Sequence, residues 1–254
     1  HIHIHYTLYS YYLGKNWMYH SSSNSSYLTK QITQEVARIT GGILQPFLTV
    51  NAKIVFVMVI VTGLLFFNPI ISIIVSLVIF LAYISVYFLV STVVKINGRH
   101  ISETQEKRYK TMNDTFQSIK EIILLGRSSR FKSVFSYNGK ILANSLANNF
   151  VLAHVPRYFI EFVGFGIAIS LIIILLIVNS NLSNDVIPIL SLYAIAAFKL
   201  LPACQQIYYS AVTMQGNIAA LQEIREDIIE AKNLPNSLNK NETKRILTFK
   251  NSIN

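Results

Sequence analysis

Apolar and polar positions divide the chain into blocks. From Ile54 to Val94 there is no charged residue. As one helix that run would be about 60 Å long, about twice the ~30 Å hydrocarbon core of a bilayer. Asn68-Pro69 interrupts it near its middle, so it predicts two crossings joined by a minimal turn. A second uncharged block runs from Phe162 to Asn184, turns at Asn179 to Asp185, and returns from Val186 to Phe198. Four spans are therefore expected, at 43–67, 70–94, 158–178 and 186–206.

Between the two hairpins, from Lys95 to Arg157, apolar residues recur at helical intervals: Tyr109, Met112, Phe116 and Ile119, then Phe131, Phe135, Leu142 and Leu146. This pattern predicts two long helices that carry their shared turn roughly 40 Å away from the membrane. In that turn, Ser118 and Glu121 have the spacing of a capping box, and Gly126 is placed to close a short helix with a left-handed cap. Upstream, Tyr6 to His20 reads as the end of a helix, Ser21 to Ser26 as a turn cluster, and Tyr27 to Arg38 as a helix with Leu28, Ile32, Val36 and Ile39 on one face. After Leu221 the last span continues as a polar helix whose exposed face would carry Glu223, Arg225, Glu226, Asp227 and Glu230.

Composition places the chain among membrane proteins. It is 52% hydrophobic and 13% charged, about half the charged fraction of an ordinary soluble domain, with a mean hydropathy of +0.43. The net charge of +10 would fit nucleic acid if it were not placed beside the spans. The polar middle holds Lys95, Arg99, Lys107, Arg108, Lys110, Lys120, Arg127, Arg130, Lys132, Lys140 and Arg157 against Glu103, Glu106, Asp114 and Glu121. Neither turn of the apolar hairpins has any Lys or Arg, so the basic middle is expected inside the cell, with no nucleic-acid partner. The single cysteine, Cys204, excludes a disulfide framework and a cysteine zinc site. His1, His3 and His5 would align only on a strand, so no metal site is expected. Without an initiator Met, the chain is expected to be an internal fragment or a truncated product.

Ionisable residues inside or beside spans are expensive and are functional candidates by default. Four stand out: Lys53, Arg157, Glu161 and Lys199. Helix rise puts the three cations between the midplane and the inner half of the membrane. Arg157 and Glu161, four residues apart, can pair on one face. Such a band could receive an anionic head group, with Arg offering a bidentate fork and Lys a point charge.

This arrangement resembles the transmembrane half of an ATP-binding cassette (ABC) exporter: an all-α polytopic membrane protein whose long transmembrane helices extend into the cytoplasm and end in short coupling helices. The words Ile119-Lys120-Glu121-Ile122-Ile123-Leu124-Leu125-Gly126-Arg127, Val155-Pro156-Arg157-Tyr158-Phe159-Ile160-Glu161 and Phe198-Lys199-Leu200-Leu201-Pro202 are similar to flippases of lipid-linked oligosaccharides and polysaccharides. The resemblance implies that residues 1–233 run from the end of the second family helix through the sixth, that 234–245 are a linker, and that 246–254 begin a nucleotide-binding domain. It implies that Ser118, Ile119, Glu121, Ile122, Ile123 and Gly126 form the second coupling helix, and that Trp17 and Tyr19 belong to the first, in the elbow Trp17–Leu28. The implied partners are the lipid bilayer, a second copy of the chain in a homodimer, a nucleotide-binding domain, and a lipid-linked glycan held by Arg157, Lys199, Glu161 and Lys53. The implied location is the cell membrane, plasma or inner.

One departure matters. No G-x-x-x-x-G-K-[ST] occurs, so this chain has no phosphate-cradling ATP site, and no catalytic residues are assigned. ATP and Mg would belong to the nucleotide-binding domain. A peptide or drug exporter, and a truncated scaffold that only dimerises, are the competing expectations.

Overall fold

The computed structural model describes residues 2–23, 25–67, 69–178 and 186–233. Among them there are helices and turns and no strand. The elements are α1 (Ile2–Leu13), α2 (Trp17–Ser22), α3 (Ser25–Phe67), α4 (Pro69–Gln117), α5 (Ile119–Leu124), α6 (Ser128–His154), α7 (Pro156–Val178) and α8 (Val186–Asn233). The turn at Asn179 to Asp185, the linker and the expected strand at 246–254 lie outside the described residues.

Local chemistry sets most boundaries. Asn16 caps α2 by accepting from the Tyr19 N–H at 3.0 Å, so the segment read as one helix from Tyr6 to His20 is divided at Gly14 to Asn16. Pro69 and Pro156 open α4 and α7, the position where the missing N–H costs nothing. Pro202 lies inside α8 without ending it.

Among the described residues, two helices are long and apolar enough to cross a membrane, α3 and the Ser72–Gln117 part of α4, and their apolar windows are only 6% and 0% buried within the chain. A soluble core helix would bury that surface, so these windows need lipid or a partner. With 49 residues, α4 is about 74 Å long, more than twice the ~30 Å of a hydrocarbon core. Helix α7 (Pro156–Val178) covers the expected 158–178, and α8 begins at the expected Val186 but runs past residue 206 to Asn233.

Among the described residues, three apolar clusters hold the bundle. Leu64 of α3 packs on Ala196 and Leu200 of α8 in the apolar zone. Val94 of α4, Ala153 of α6 and Tyr208 and Val212 of α8 meet where the helices leave it. At the polar end, Leu8, Tyr11 and Tyr12 of α1 pack against Val36, Ile39, Ala220 and Ile224. Between these clusters α4 and α8 touch backbone to backbone: a Cβ on Gly98 would lie 2.3 Å from the Gly216 carbonyl oxygen. Only glycine fits such a crossing.

Candidate functional site

The tip of the α4–α6 projection is α5. Its C-terminus closes as a Schellman motif: Gly126 at φ +64 donates its N–H to the Ile123 carbonyl at 3.2 Å, and Arg127 donates to Ile122 at 3.0 Å. The expected capping box does not form, because the Ser118 side chain makes no capping hydrogen bond. The Ile122 N–H bonds the Ser118 carbonyl at 3.0 Å instead. A second correction concerns Ile122, expected with Ile119 and Ile123 on the face that docks on a partner domain but 5% exposed and turned into its own chain. The outward apolar residues are Ile119, Ile123, Leu124 and Leu125, with Phe116 at the end of α4. Lys120, Glu121, Arg127 and Arg130 are exposed around them. In the elbow, Trp17 and Met18 are exposed while Tyr19 packs on the α1 cluster.

The four ionisable candidates Lys53, Arg157, Glu161 and Lys199 fall into different environments. Arg157 Nε donates to Glu161 Oε1 at 2.6 Å, using the inner edge of the guanidinium and not its terminal fork. Both residues are partly exposed, beside outward Tyr158, Phe159 and Phe162. Lys199 is exposed on α8, and Lys53 lies 5.7 Å from the Phe56 ring centre on α3. Among the described residues Arg157–Glu161 is the only ion pair of the four. Nearby, the Tyr83 ring of α4 lies tilted against that of Tyr208, 5.9 Å between centres, and Gly164 of α7 faces Leu201 of α8, so α4, α7 and α8 converge beside Arg157.

A denser polar site was not foreseen. Lys30 and Glu35 of α3 are fully buried. Lys30 Nζ reaches Glu223 Oε2 of α8 at 2.6 Å, and Glu35 and Glu106 each at 3.6 Å. Eight residues on, Arg38 uses all five N–H donors. Nε donates to Asn217 at 3.1 Å. Nη1 donates to Glu35 at 2.9 Å and to Ser102. Nη2 donates to the carbonyls of Gly98 and Gly216, both at 3.3 Å. One guanidinium thus ties α3, α4 and α8 at the glycine crossing. Glu223 belongs here and not to a solvated face, which corrects that expectation. Asp227 is likewise engaged, accepting from Tyr12 at 2.6 Å. A cavity of about 250 Å³, lined by Arg99, Glu103, Ala219, Gln222 and Glu223, opens beside the node.

A search against protein-family models finds no family that matches this chain.

Proposed function

We propose that the chain is the transmembrane part of an ATP-driven exporter that flips a lipid-linked oligosaccharide or a related amphipathic lipid across the cell membrane as a homodimer. The observation that carries this reading is α5. A six-residue helix is too short to hold itself, yet it is closed by a Schellman motif at the end of two long helices and turns Ile123, Leu124 and Leu125 outward. Such an exposed apolar end fits the groove of a partner domain, here the nucleotide-binding domain that would supply ATP and Mg. The basic rim of Lys120, Arg127 and Arg130 favours an acidic border on that groove.

The substrate reading rests on Arg157. Because Glu161 takes only the Nε edge, the terminal nitrogens are left to receive a pyrophosphate bidentately, and the exposed aromatics around them suit an acyl chain. Lys199 would add a point charge from the next helix. The same aromatics also suit a peptide or drug, the second reading.

The test is flipping of a fluorescent pyrophosphate-linked lipid by the protein reconstituted with its nucleotide-binding domain. Ile123→Asp with Leu124→Asp should abolish ATP-driven flipping while leaving the thermal unfolding midpoint unchanged, because both side chains are exposed. Arg157→Lys should reduce flipping about tenfold or more, since an ammonium cannot reproduce the fork, and should spare an uncharged lipid. Normal flipping by the double-aspartate variant would refute the exporter reading. Equal loss for charged and uncharged lipids in Arg157→Lys would refute the substrate reading alone.

A further inference from the structure

Two stretches of α3 are wound as π-helix, Gln31–Glu35 and Thr40–Leu44, and they flank Arg38. A π-turn accommodates one extra residue in the helix and is favoured over α only where tertiary contacts hold it. The first one separates two kinds of contact. On its C-terminal side, Arg38 is saturated, with every donor bonded and partners on three helices. On its N-terminal side, Lys30 holds Glu223 and Glu106 through an ammonium without a fork. Within the turn, Gln31 Oε1 is buried and makes no hydrogen bond, although its Nε2 lies 3.4 Å from Glu223 Oε2. Arg38 and Lys30 give two positive charges against Glu35, Glu106 and Glu223, so the node has one more carboxylate than cations, with Glu106 at its half-exposed edge. The cavity at Arg99, Glu103 and Gln222 reaches Glu223 and offers water to charges that separate.

We propose that Lys30 is a releasable catch and Arg38 a fixed pin. When the π-turn at Gln31–Glu35 relaxes to regular α-helix, the segment from Ser25 to Lys30 shifts by one residue in register. Lys30 then turns by about 100° and leaves Glu223 and Glu106, while Arg38 keeps α3, α4 and α8 together at Gly98 and Gly216. The elbow at α2, which leads directly into this segment, moves with it. The device would regulate the exporter proposed above. Its test reads a distance and not transport, so either reading can fail without the other.

The experiment uses nitroxide labels at the exposed positions 29 and 226 of the protein in lipid nanodiscs, with pulsed dipolar spectroscopy of the distance between them. Two distance populations are expected in the otherwise wild-type chain. Deletion of Thr33, an exposed residue of the π-turn, removes the extra residue, lets the helix run as α with Lys30 kept in its closed register, and should leave only the distance that is major in wild type. Lys30→Met, which keeps the apolar stem, should raise the ratio of open to closed about tenfold or more, as expected for loss of charge-assisted hydrogen bonds. If Lys30→Met lowers the unfolding temperature and broadens the distribution, Glu223→Gln decides, because it keeps a hydrogen-bond acceptor and should raise the same minor peak. A single wild-type distance that Lys30→Met or Glu223→Gln leaves in place would overturn the proposal, as would a deletion variant whose distance is absent from the wild-type distribution.

Discussion

Gly98 and Gly139 lie in the same pair of packed helices and should respond oppositely to one methyl group. At Gly98 the added Cβ would lie 2.3 Å from the Gly216 carbonyl oxygen, which is backbone and cannot rotate away. At Gly139 nothing lies within 4 Å of it. Gly98→Ala should therefore destabilise the chain by about 1–3 kcal/mol through overpacking. Gly139→Ala should stabilise it by roughly 0.5–1 kcal/mol by restricting the unfolded backbone and favouring helix. Denaturant unfolding in detergent micelles measures both. Gly98→Ala should also weaken the Arg38 bonds to the two glycine carbonyls, because the helices can no longer approach. An unchanged midpoint for Gly98→Ala would mean that the crossing is looser than this geometry.

At the scale of elements, α1 gives a pH dependence. Tyr11 donates its hydroxyl to Glu230 of α8, and Lys15 Nζ stands 3.1 Å from the same oxygen. The Tyr11 hydrogen bond first, and the Lys15 contacts second, hold the Glu230 carboxyl below its ordinary range. A depressed carboxyl contributes stability above the unfolded value of about 4.3 and loses it as pH falls through the lower folded value. The docking of α1 should thus be constant from about pH 5 to 8 and loosen below about pH 4. Fluorescence anisotropy of Trp17, the single tryptophan, follows this step, and Glu230→Gln should remove it. Much of the element layout was legible beforehand. Asn68-Pro69 marked the hairpin break, and Gly126 the closure of α5, because each acts through its own backbone. The buried node was not legible for the opposite reason. Lys30 and Glu35 look like solvated helix charges until Glu223, far along the chain, is placed against them. The π-turns leave no local signal either, since tertiary contacts hold them. A pointer did exist in Gly42, Gly98 and Gly216, small residues on three helices, with Gly98 set against Gly216 and Gly42 against the Asn217 side chain. Ile122 was misjudged because a two-turn helix has too few residues to fix which side faces its own chain.

The whole molecule should sit in the membrane with its basic middle inside the cell. Cysteine introduced at Asn68 or Ser183 should react with an impermeant maleimide in intact cells, and Lys110→Cys should react only after permeabilisation. Labelling of position 110 in intact cells would invert the orientation. The helices are long relative to the bilayer, and this makes the position of the glycine contact important. Gly98 lies about 44 Å from the start of α4 and about 29 Å from its end. Gly216 divides α8 in nearly the same proportion, about 45 Å and 26 Å. The bare crossing therefore works as the fulcrum of a pair of shears with unequal blades. For rigid helices turning about it, a displacement applied at the tip side is reproduced at the far ends of the spans, in the opposite sense and about one and a half times larger.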